Sequence, residues 1–225
     1  MNLHILYEDE HVIVCYKPAG IPTQTKKLGE QDMESILKNY LKGDYVAVIH
    51  RLDQPVEGLL VFAKTPFAAK ELNKGLQGAG FGKHYKAVLW GVPAKEKATL
   101  EDYLVKDGRT NTSRVCVPSE KDAKKAVLLY EVIATGKDDG KDISLVKVKL
   151  DTGRHHQIRV QMANMECPIW GDAKYNTMEV QDRKFRQIAL CAYRLEFLHP
   201  KTKKQLEFEI EPKGEGFSNI SEFQS

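Results

Sequence analysis

A carboxylate close to a guanidinium, set in an otherwise apolar stretch, is the first feature of this chain that suggests chemistry. Residues His50–Lys64 read HRLDQPVEGLLVFAK, so a strand delivers Arg51 and Asp53 into a turn marked by Pro55 and Gly58. Because such charges are costly to desolvate unless they are paired, their place between two apolar strands needs an explanation. A catalytic carboxylate and a polar turn at a strand end are equally supported by these residues alone.

A second polar segment, Leu150–Tyr175, reads LDTGRHHQIRVQMANMECPIWGDAKY. We expect Thr152 to cap a helix over His155–Met165, with Arg154 and the free backbone donors of the first turn suited to a phosphate group. The side chains expected in the first turns are those of His155, Gln157 and Arg159. His155 and Arg159 are spaced to share one face of this helix. The alternative is a solvated basic helix without a ligand.

A third segment, Lys83–Gly91, is a predicted strand in which Tyr85 stands between Lys83 and Lys86. An aromatic ring among cationic side chains is the composition expected where an unstacked base meets a protein surface. The alternative is an aromatic residue packed in the core.

A fourth segment, Tyr16–Gln24, reads YKPAGIPTQ and follows a strand. Its proline and glycine residues predict a tight turn, and no chemistry follows from the turn alone.

The elements that must position these segments are mostly strands. Runs rich in β-branched and aromatic residues predict strands over His11–Lys17, Tyr45–His50, Gly58–Lys64, Tyr85–Trp90, Ser113–Val117, Ala126–Ala134, Ile143–Asp151, Ile188–Phe197 and Gln205–Glu211. Helical spacing predicts helices over Met33–Lys42, Phe67–Gln77 and His155–Met165. This pattern predicts an α+β fold with a large mixed, mainly antiparallel β-sheet and flanking helices.

The organisation of the chain indicates one domain over residues 1–225, with no internal repeat. Pro93–Lys97 and Thr135–Lys141 are predicted loops, and the segment Lys213–Ser225 is expected to be a flexible tail. The 225 residues are 42% apolar and contain no run long enough for a membrane helix. The N-terminus lacks the pattern of a secretion signal, so we expect a cytoplasmic protein.

Metal and cofactor chemistry find little support in the sequence. The four cysteines form no C-x-x-C pair, and the seven histidines form no H-x-x-x-H string. Neither a phosphate-binding loop nor a dinucleotide-binding glycine pattern is present. We therefore expect a reaction without cofactor or metal. The net charge of +3 permits binding to a polyanion without requiring it.

Taken together in their order along the chain, the four segments resemble those of the RluA-like family of RNA pseudouridine synthases, and the resemblance extends from about Glu8 to Pro212. The strongest similarities are HRLD followed by GLLVFAK, and GRHHQIR followed by PIWGDAKY. The resemblance implies the pseudouridine synthase fold with a central RNA-binding cleft. It also implies a stand-alone catalytic domain, without the small N-terminal RNA-binding domain that many relatives carry.

The resemblance also implies roles for individual residues. Asp53 falls on the essential aspartate, Tyr85 on the active-site tyrosine, and Arg159 on the basic residue that pairs with the aspartate. Lys17 and Pro18 match a motif that shapes the cleft, with no implied chemistry. Arg51 falls on a residue that contacts RNA beside the flipped nucleotide. The other expected RNA contacts are His50, Arg154, His155, Gln157, Lys83 and Lys86.

One departure from the family pattern is visible, because Val56 and Glu57 stand where the family usually has Thr and Ser. We expect the acidic side chain of Glu57 to lie near the path of the RNA, where it would affect the choice of substrate rather than the type of reaction.

The function implied is the isomerisation of specific uridines in structured RNA, ribosomal or transfer RNA, by a monomeric enzyme that flips a stem-loop uridine out of its stack. Two alternatives remain open. A nucleoside or glycoside hydrolase would normally use two carboxylates, whereas the matching motif contains Asp53 alone. A non-catalytic RNA-binding module would use the basic residues as phosphate contacts, but it would have no need of Asp53.

Overall fold

The computed structural model describes residues 3–27, 29–78, 80–176 and 187–218, which form eleven strands and four helices. The strands are β1 His4–Glu8, β2 Val12–Lys17, β3 Ala47–Val48, β4 Glu57–Ala63, β5 Phe81–Trp90, β6 Lys97–Asp107, β7 Thr112–Cys116, β8 Lys124–Asp138, β9 Lys141–Leu150, β10 Leu190–Leu198 and β11 Gln205–Glu209. The helices are α1 Met33–Tyr40, α2 Pro66–Gln77, α3 Gln157–Asn164 and α4 Glu215–Ser218. The predicted α+β class, with mainly antiparallel strands, is confirmed.

The chain forms two compact units that interleave in sequence. The first unit comprises Met1–Lys83 and Cys191–Pro212, and the second comprises His84–Leu190 and Lys213–Ser225. Because the chain leaves the first unit at residue 83 and returns to it at residue 191, each unit needs distant stretches of sequence. That they act together as one catalytic domain stays a prediction.

In the first unit, β4 holds the central place. It pairs antiparallel with β2 and, at Glu57 and Gly58, parallel with β10. Strand β1 extends the sheet beyond β2, β11 extends it beyond β10, and β3 pairs with the end of β4. Lys17, the last residue of β2, lies opposite Gly58 near the start of β4. The turn that precedes β4 therefore lies beside the segment that follows β2.

The core of the first unit forms where α2 packs on this sheet. Thr65 caps α2 by accepting from the Ala68 amide, and Pro66 occupies the first turn, where its missing N–H is no loss. The alternate residues of the strands supply the rest of the core, which includes Val12, Val14, Leu59, Val61, Leu195 and Phe197, packed with Ala68 and Leu72 of the helix. All residues of β4 are buried, so both of its faces are covered.

In the second unit, the strand order is β5, β9, β8, β6, β7, and all neighbours are antiparallel. Helix α3 packs on this sheet through Val160, which contacts Leu104 of β6 and Ala126 of β8. This contact fixes the N-terminal end of α3 relative to the β6–β7 hairpin.

The structure corrects several local predictions. Strands β1 and β6 were not predicted. The loop predicted over Thr135–Lys141 is wrong, because β8 and β9 continue to a two-residue turn at Asp139 and Gly140, with φ of 49° and 76°. Such positive angles suit the Asp-Gly turns of hairpins.

The predicted tail is ordered over its described part. Residues 215–218 form α4, and the side chain of Phe217 is buried. Residues 219–225 lie outside the described residues. Among the described residues, no helix has the length and apolar character to cross a membrane.

Candidate active site

Asp53 lies in the turn that leads into β4, and its side chain is partly buried. The turn is closed by a hydrogen bond of 3.0 Å from the Val56 amide to the Asp53 carbonyl. On the N-terminal side, the hydroxyl of the buried Thr23 accepts from the Leu52 amide at 3.1 Å and donates to the Leu52 carbonyl at 3.0 Å. A residue from the turn after β2 therefore holds the residue before Asp53 at both of its backbone groups.

The residue after Asp53 is held by the same turn. The carbonyl of Gln54 accepts from the Gly20 amide at 2.9 Å, and the Gln54 side chain donates to the Gly20 carbonyl at 3.0 Å. The Lys17 ammonium group also donates to the Gln54 carbonyl, at 3.0 Å. Residues of the segment 17–23 thus hydrogen-bond to the residues on both sides of Asp53, and these bonds restrict the backbone conformation of Asp53.

Glu57, expected near the path of the RNA, is 1% exposed. Its carboxylate accepts a hydrogen bond from the hydroxyl of Tyr16 on β2. Burial and this hydrogen bond raise the pKa of Tyr16. The expectation that Glu57 faces RNA is therefore wrong, because β4 turns its side chain into the interior.

Gly58 permits the close approach of β10 to the start of β4. Its φ is +137°, and a Cβ atom there would lie 2.5 Å from the backbone nitrogen of Ala192. Only glycine fits this position without moving β10. The glycine next to the Asp53 turn is therefore a packing requirement.

The two residues before Leu52 differ in their surroundings. Arg51 is exposed and donates to the side chain of Gln24 at 2.9 Å, so it lies on the surface beside the Asp53 turn. His50 is 9% exposed and packs edge-on against Phe81, and its Nε2 accepts from the Val61 amide at 3.3 Å. His50 therefore supports the core, and its expected contact with RNA stays an untested prediction.

Burial, with a smaller effect of the Lys83 charge, lowers the pKa of His50 from 6.5 to about 3. Between pH 6.5 and about 3, the imidazole of His50 is protonated in the unfolded chain but neutral in the folded chain. The contribution of the neutral His50 to the free energy of unfolding is therefore complete above pH 6.5 and is lost as the pH falls toward 3. We expect His50→Gln, which keeps an acceptor for Val61, to weaken this acid dependence by about 1.4 kcal/mol per pH unit. Urea unfolding between pH 7.5 and 4 measures it, and an unchanged slope would contradict the prediction.

In the second unit, Tyr85 is 7% exposed and pairs with Val148 of β9. Lys86 follows it and therefore points to the opposite face of the sheet. Lys83 is partly exposed and is the last residue of the first unit's N-terminal part.

The start of α3 differs from the prediction. The helix begins at Gln157, and its N-cap is His156, which has a left-handed backbone and no side-chain capping bond. Thr152 is not the cap, because its hydroxyl bonds the Val127 backbone at 2.9 Å and donates to the Gln157 side chain at 2.8 Å. Gln157 is buried and accepts from the Arg154 amide at 3.0 Å. Gln157 therefore closes the loop before the helix.

Arg159 has a buried carboxylate partner. Its Nε and Nη2 donate to the two oxygens of Asp172 at 2.8 and 2.6 Å. Arg159 is 5% exposed and Asp172 1% exposed, and the guanidinium lies 5.1 Å from the centre of the Tyr175 ring. Two parallel bonds and a covering ring fix the plane of the guanidinium.

The histidines beside Arg159 link α3 to the β6–β7 hairpin. The Tyr175 hydroxyl accepts from the Ser113 amide at 2.8 Å and lies 2.7 Å from His156 Nδ1, so it donates to that nitrogen. Burial and then the charge of Arg159 lower the pKa of His156 to about 2, which keeps it neutral. His155 lies before the first residue of the helix, and its ring contacts Ser113 and Asn111. Its predicted face shared with Arg159 is therefore wrong.

Tyr175→Phe tests this link, because it removes the hydroxyl and keeps the ring over Arg159. The Ser113 amide and His156 Nδ1 lose their partner, so we expect a loss of about 1–3 kcal/mol in the free energy of unfolding. Denaturant titration measures it, with Tyr45→Phe, at an exposed tyrosine of the first unit, as the matched control. Equal stability of the two variants would contradict the prediction.

The predicted residues fall into two groups. The first unit holds Asp53 and Arg51 on one turn, whereas Tyr85 and Arg159 belong to the second unit. The pairing of Arg159 with Asp53 therefore stays a prediction. Arg154 is exposed and donates to the Lys125 carbonyl, which leaves it on the surface.

Three residues of these two sites had no predicted role in them, and Lys17 was expected only as part of a motif that shapes the cleft. Thr23 and Lys17 hold the Asp53 turn, and Asp172 and Tyr175 hold Arg159. Signals were present, because KPAGIPT and GDAKY are part of the quoted motifs. Neither string indicates which distant residue it contacts.

Comparison with known proteins gives consistent matches. A family model described as RNA pseudouridylate synthase matches residues 11–164. The tRNA pseudouridine synthase C of Vibrio cholerae is 32% identical over 219 residues, which cover 91% of this chain and 88% of that protein. The ribosomal large subunit pseudouridine synthase D of Zymomonas mobilis is 30% identical over 225 residues, which cover 93% of this chain and 69% of that protein. The solved structure titled human RNA pseudouridylate synthase domain containing 1 superposes with a TM-score of 0.78 at 23% sequence identity, and the match covers 94% of this chain and 84% of that protein's chain. This similarity confirms the predicted fold.

Proposed function

Because the family model covers residues 11–164, the chain belongs to the RNA pseudouridylate synthases, isomerases that act on RNA, and we propose that Asp53 is its essential carboxylate. The observation that carries this proposal is the turn of Asp53, whose neighbours on both sides are held by the segment 17–23. A catalytic group needs a fixed backbone, since small errors of position are costly for the rate.

The reaction breaks the bond between N1 of uracil and C1′ of the ribose and forms a bond between C5 and C1′. The proton at C5 leaves, and N1 takes up a proton, so no redox partner is needed. Asp53 has three possible routes: attack on C1′, addition to the uracil ring, and removal of a ribose proton to give a glycal. All three require an ionised carboxylate.

Arg159 and Tyr85 complete the proposed site. A guanidinium within about 4–6 Å would keep the Asp53 carboxylate ionised in a dry pocket, where burial alone favours the protonated form. Tyr85 would stack on the flipped uracil. The fixed plane of Arg159 against Asp172 supports this role, because an arginine held by two bonds presents its remaining N–H groups in a set direction.

The substrate proposed is a uridine in a stem-loop of ribosomal or transfer RNA, since relatives are named for both kinds of RNA. A loop uridine costs least to flip, and Arg51 would fill the gap that it leaves. Arg154, Lys83 and Lys86 would contact the backbone of the RNA. We propose that the enzyme works in the cytoplasm as a monomer, without cofactor or metal.

Release of tritium from RNA labelled at C5 of uridine tests the function, because isomerisation must expel that atom to water. Ribosomal and transfer RNA from a strain that lacks the gene serve as substrates. Release of tritium without free uracil supports the synthase, and free uracil would indicate a hydrolase instead. RNA binding with full retention of tritium would indicate a non-catalytic RNA-binding module.

A further inference from the structure

Arg51 and Gln24 form a side-chain contact beside the turn that carries Asp53. Nη2 of Arg51 donates to Oε1 of Gln24 at 2.9 Å, and both side chains are exposed. Within the described part of the chain, this is the one hydrogen bond of the Arg51 side chain, so its other N–H groups remain available to a ligand. The contact therefore orients the guanidinium without occupying it.

The side-chain amide of Gln24 is itself oriented by an acidic residue of α1. Its Nε2 donates to the carboxylate of Glu34, in the first turn of that helix. An ionised carboxylate only accepts hydrogen bonds, so the nitrogen of the amide must face Glu34 and the oxygen must face Arg51. Glu34 thus determines that Gln24 presents an acceptor to the guanidinium.

The backbone on both sides of Gln24 is fixed to the start of α1. The Glu34 amide donates to the Thr23 carbonyl at 3.2 Å, and the Thr25 amide donates to the Asp32 carboxylate at 2.6 Å. Asp32 is also the N-cap of the helix and accepts from its third residue. The distance between Gln24 and Glu34 is therefore set by the backbone and does not depend on their exposed side chains.

A neutral amide between the two charges matters for a ligand of Arg51. If the guanidinium paired directly with a carboxylate, a phosphate or a base would have to displace that charge-assisted bond, which is stronger than a bond to an amide. A bond to an amide still restricts the torsions of the long side chain before binding, which lowers the entropy lost on binding. Gln24 therefore prepares Arg51 for a ligand and leaves its charge unpaired.

We propose that Gln24 is a positioning residue, whose amide is oriented by Glu34 and directs the Arg51 guanidinium into the space that the flipped uridine leaves. This inference rests on the proposed function, because Arg51 must fill that gap for its direction to affect the reaction. The contact should matter most for a uridine that is stacked on its neighbours, since filling the gap offsets the cost of unstacking. It should matter little for a uridine that has no neighbour to leave.

The test compares two synthetic stem-loops that carry the uridine modified by the wild-type protein. In the first RNA the uridine keeps its stacked neighbours, and in the second the two neighbouring nucleotides lack their bases. We expect Gln24→Leu to lower kcat/KM for tritium release by about tenfold on the first RNA and by less than about threefold on the second. The matched control is Gln205→Leu, the same substitution at an exposed glutamine of β11, which should equal wild type on both RNAs.

An exchange of the two side chains tests the direction of the bonds. In Gln24→Glu two carboxylates meet, so the contact should be lost. In Gln24→Glu/Glu34→Gln the carboxylate accepts from Arg51 and from the amide at position 34, which restores both bonds at the wild-type net charge. On the stacked RNA, we expect kcat/KM of the double variant within about threefold of wild type, and that of Gln24→Glu about tenfold below it.

The fluorescence of 2-aminopurine beside the uridine measures flipping without the reaction. Its rise on binding should fall to about half of the wild-type value or less in Gln24→Leu and in Arg51→Met, and the combination of both should be no worse than Arg51→Met. Wild-type fluorescence in Gln24→Leu, an equal loss of kcat/KM on both RNAs, or no recovery in the exchanged variant would overturn the inference. Wild-type flipping by Arg51→Met, or tritium release by Asp53→Asn, would instead overturn the proposed function.

Discussion

Asp53→Asn is expected to lower the rate of tritium release by at least about 10³-fold, because the amide can neither attack a carbon atom nor accept a proton at neutral pH. The fold should survive, since the substitution keeps the size of the side chain and leaves unchanged the bonds made by the Asp53 carbonyl, Leu52 and Gln54. The dissociation constant for RNA should change by less than about tenfold, because the phosphate contacts supply most of the affinity.

Single-turnover tritium release measures the chemical step, and filter binding measures the affinity for the same RNA. Asp44→Asn is the matched control, since Asp44 is an exposed aspartate in the segment before β3 and the substitution is identical. A variant Asp53→Asn that keeps more than about a tenth of the wild-type rate would exclude Asp53 as the essential carboxylate.

Asp172→Ala is expected to destabilise the protein by about 3–5 kcal/mol, because it removes one partner of a buried ion pair whose two hydrogen bonds hold the Arg159 guanidinium. Oδ1 of Asp172, which accepts from Nη2 of Arg159, also accepts from the backbone amides of Lys174 and Tyr175 at 3.0 and 3.3 Å. Tritium release should fall as well, since an arginine without a fixed plane would no longer support the ionised Asp53.

The matched control for this prediction is Glu101→Ala. Glu101 pairs with Lys125 at 2.7 Å on the surface of the same unit, with side chains 55% and 49% exposed. An exposed pair contributes about 0–1 kcal/mol, so the two variants should differ by at least about 2 kcal/mol in urea unfolding. Arg159→Met/Asp172→Leu should recover part of the stability and none of the activity. A double variant as unstable as Asp172→Ala would show that the loss is due to packing rather than to the buried charge.

The sequence by itself determined the class of fold, most of the strands, and the turn that carries Asp53. These features depend on local patterns, because alternation of apolar residues marks a strand and proline with glycine marks a turn. The order of the four motifs was sufficient to identify the family. Local patterns failed where an element continues through polar residues, as β8 and β9 do up to the Asp139 turn.

Only the tertiary structure decided which residues meet. Thr23 reaches Leu52 across 29 positions and Tyr16 reaches Glu57 across 41, separations that no periodicity reports. The burial of Glu57 could not be predicted from the sequence, because an acidic residue that directly follows a turn is usually exposed. Likewise, the hydroxyl of Thr152 bonds the distant Val127 instead of capping α3. The reason is physical: a polar side chain bonds the partner that the packed strands bring within about 3 Å, and packing is a property of the whole chain.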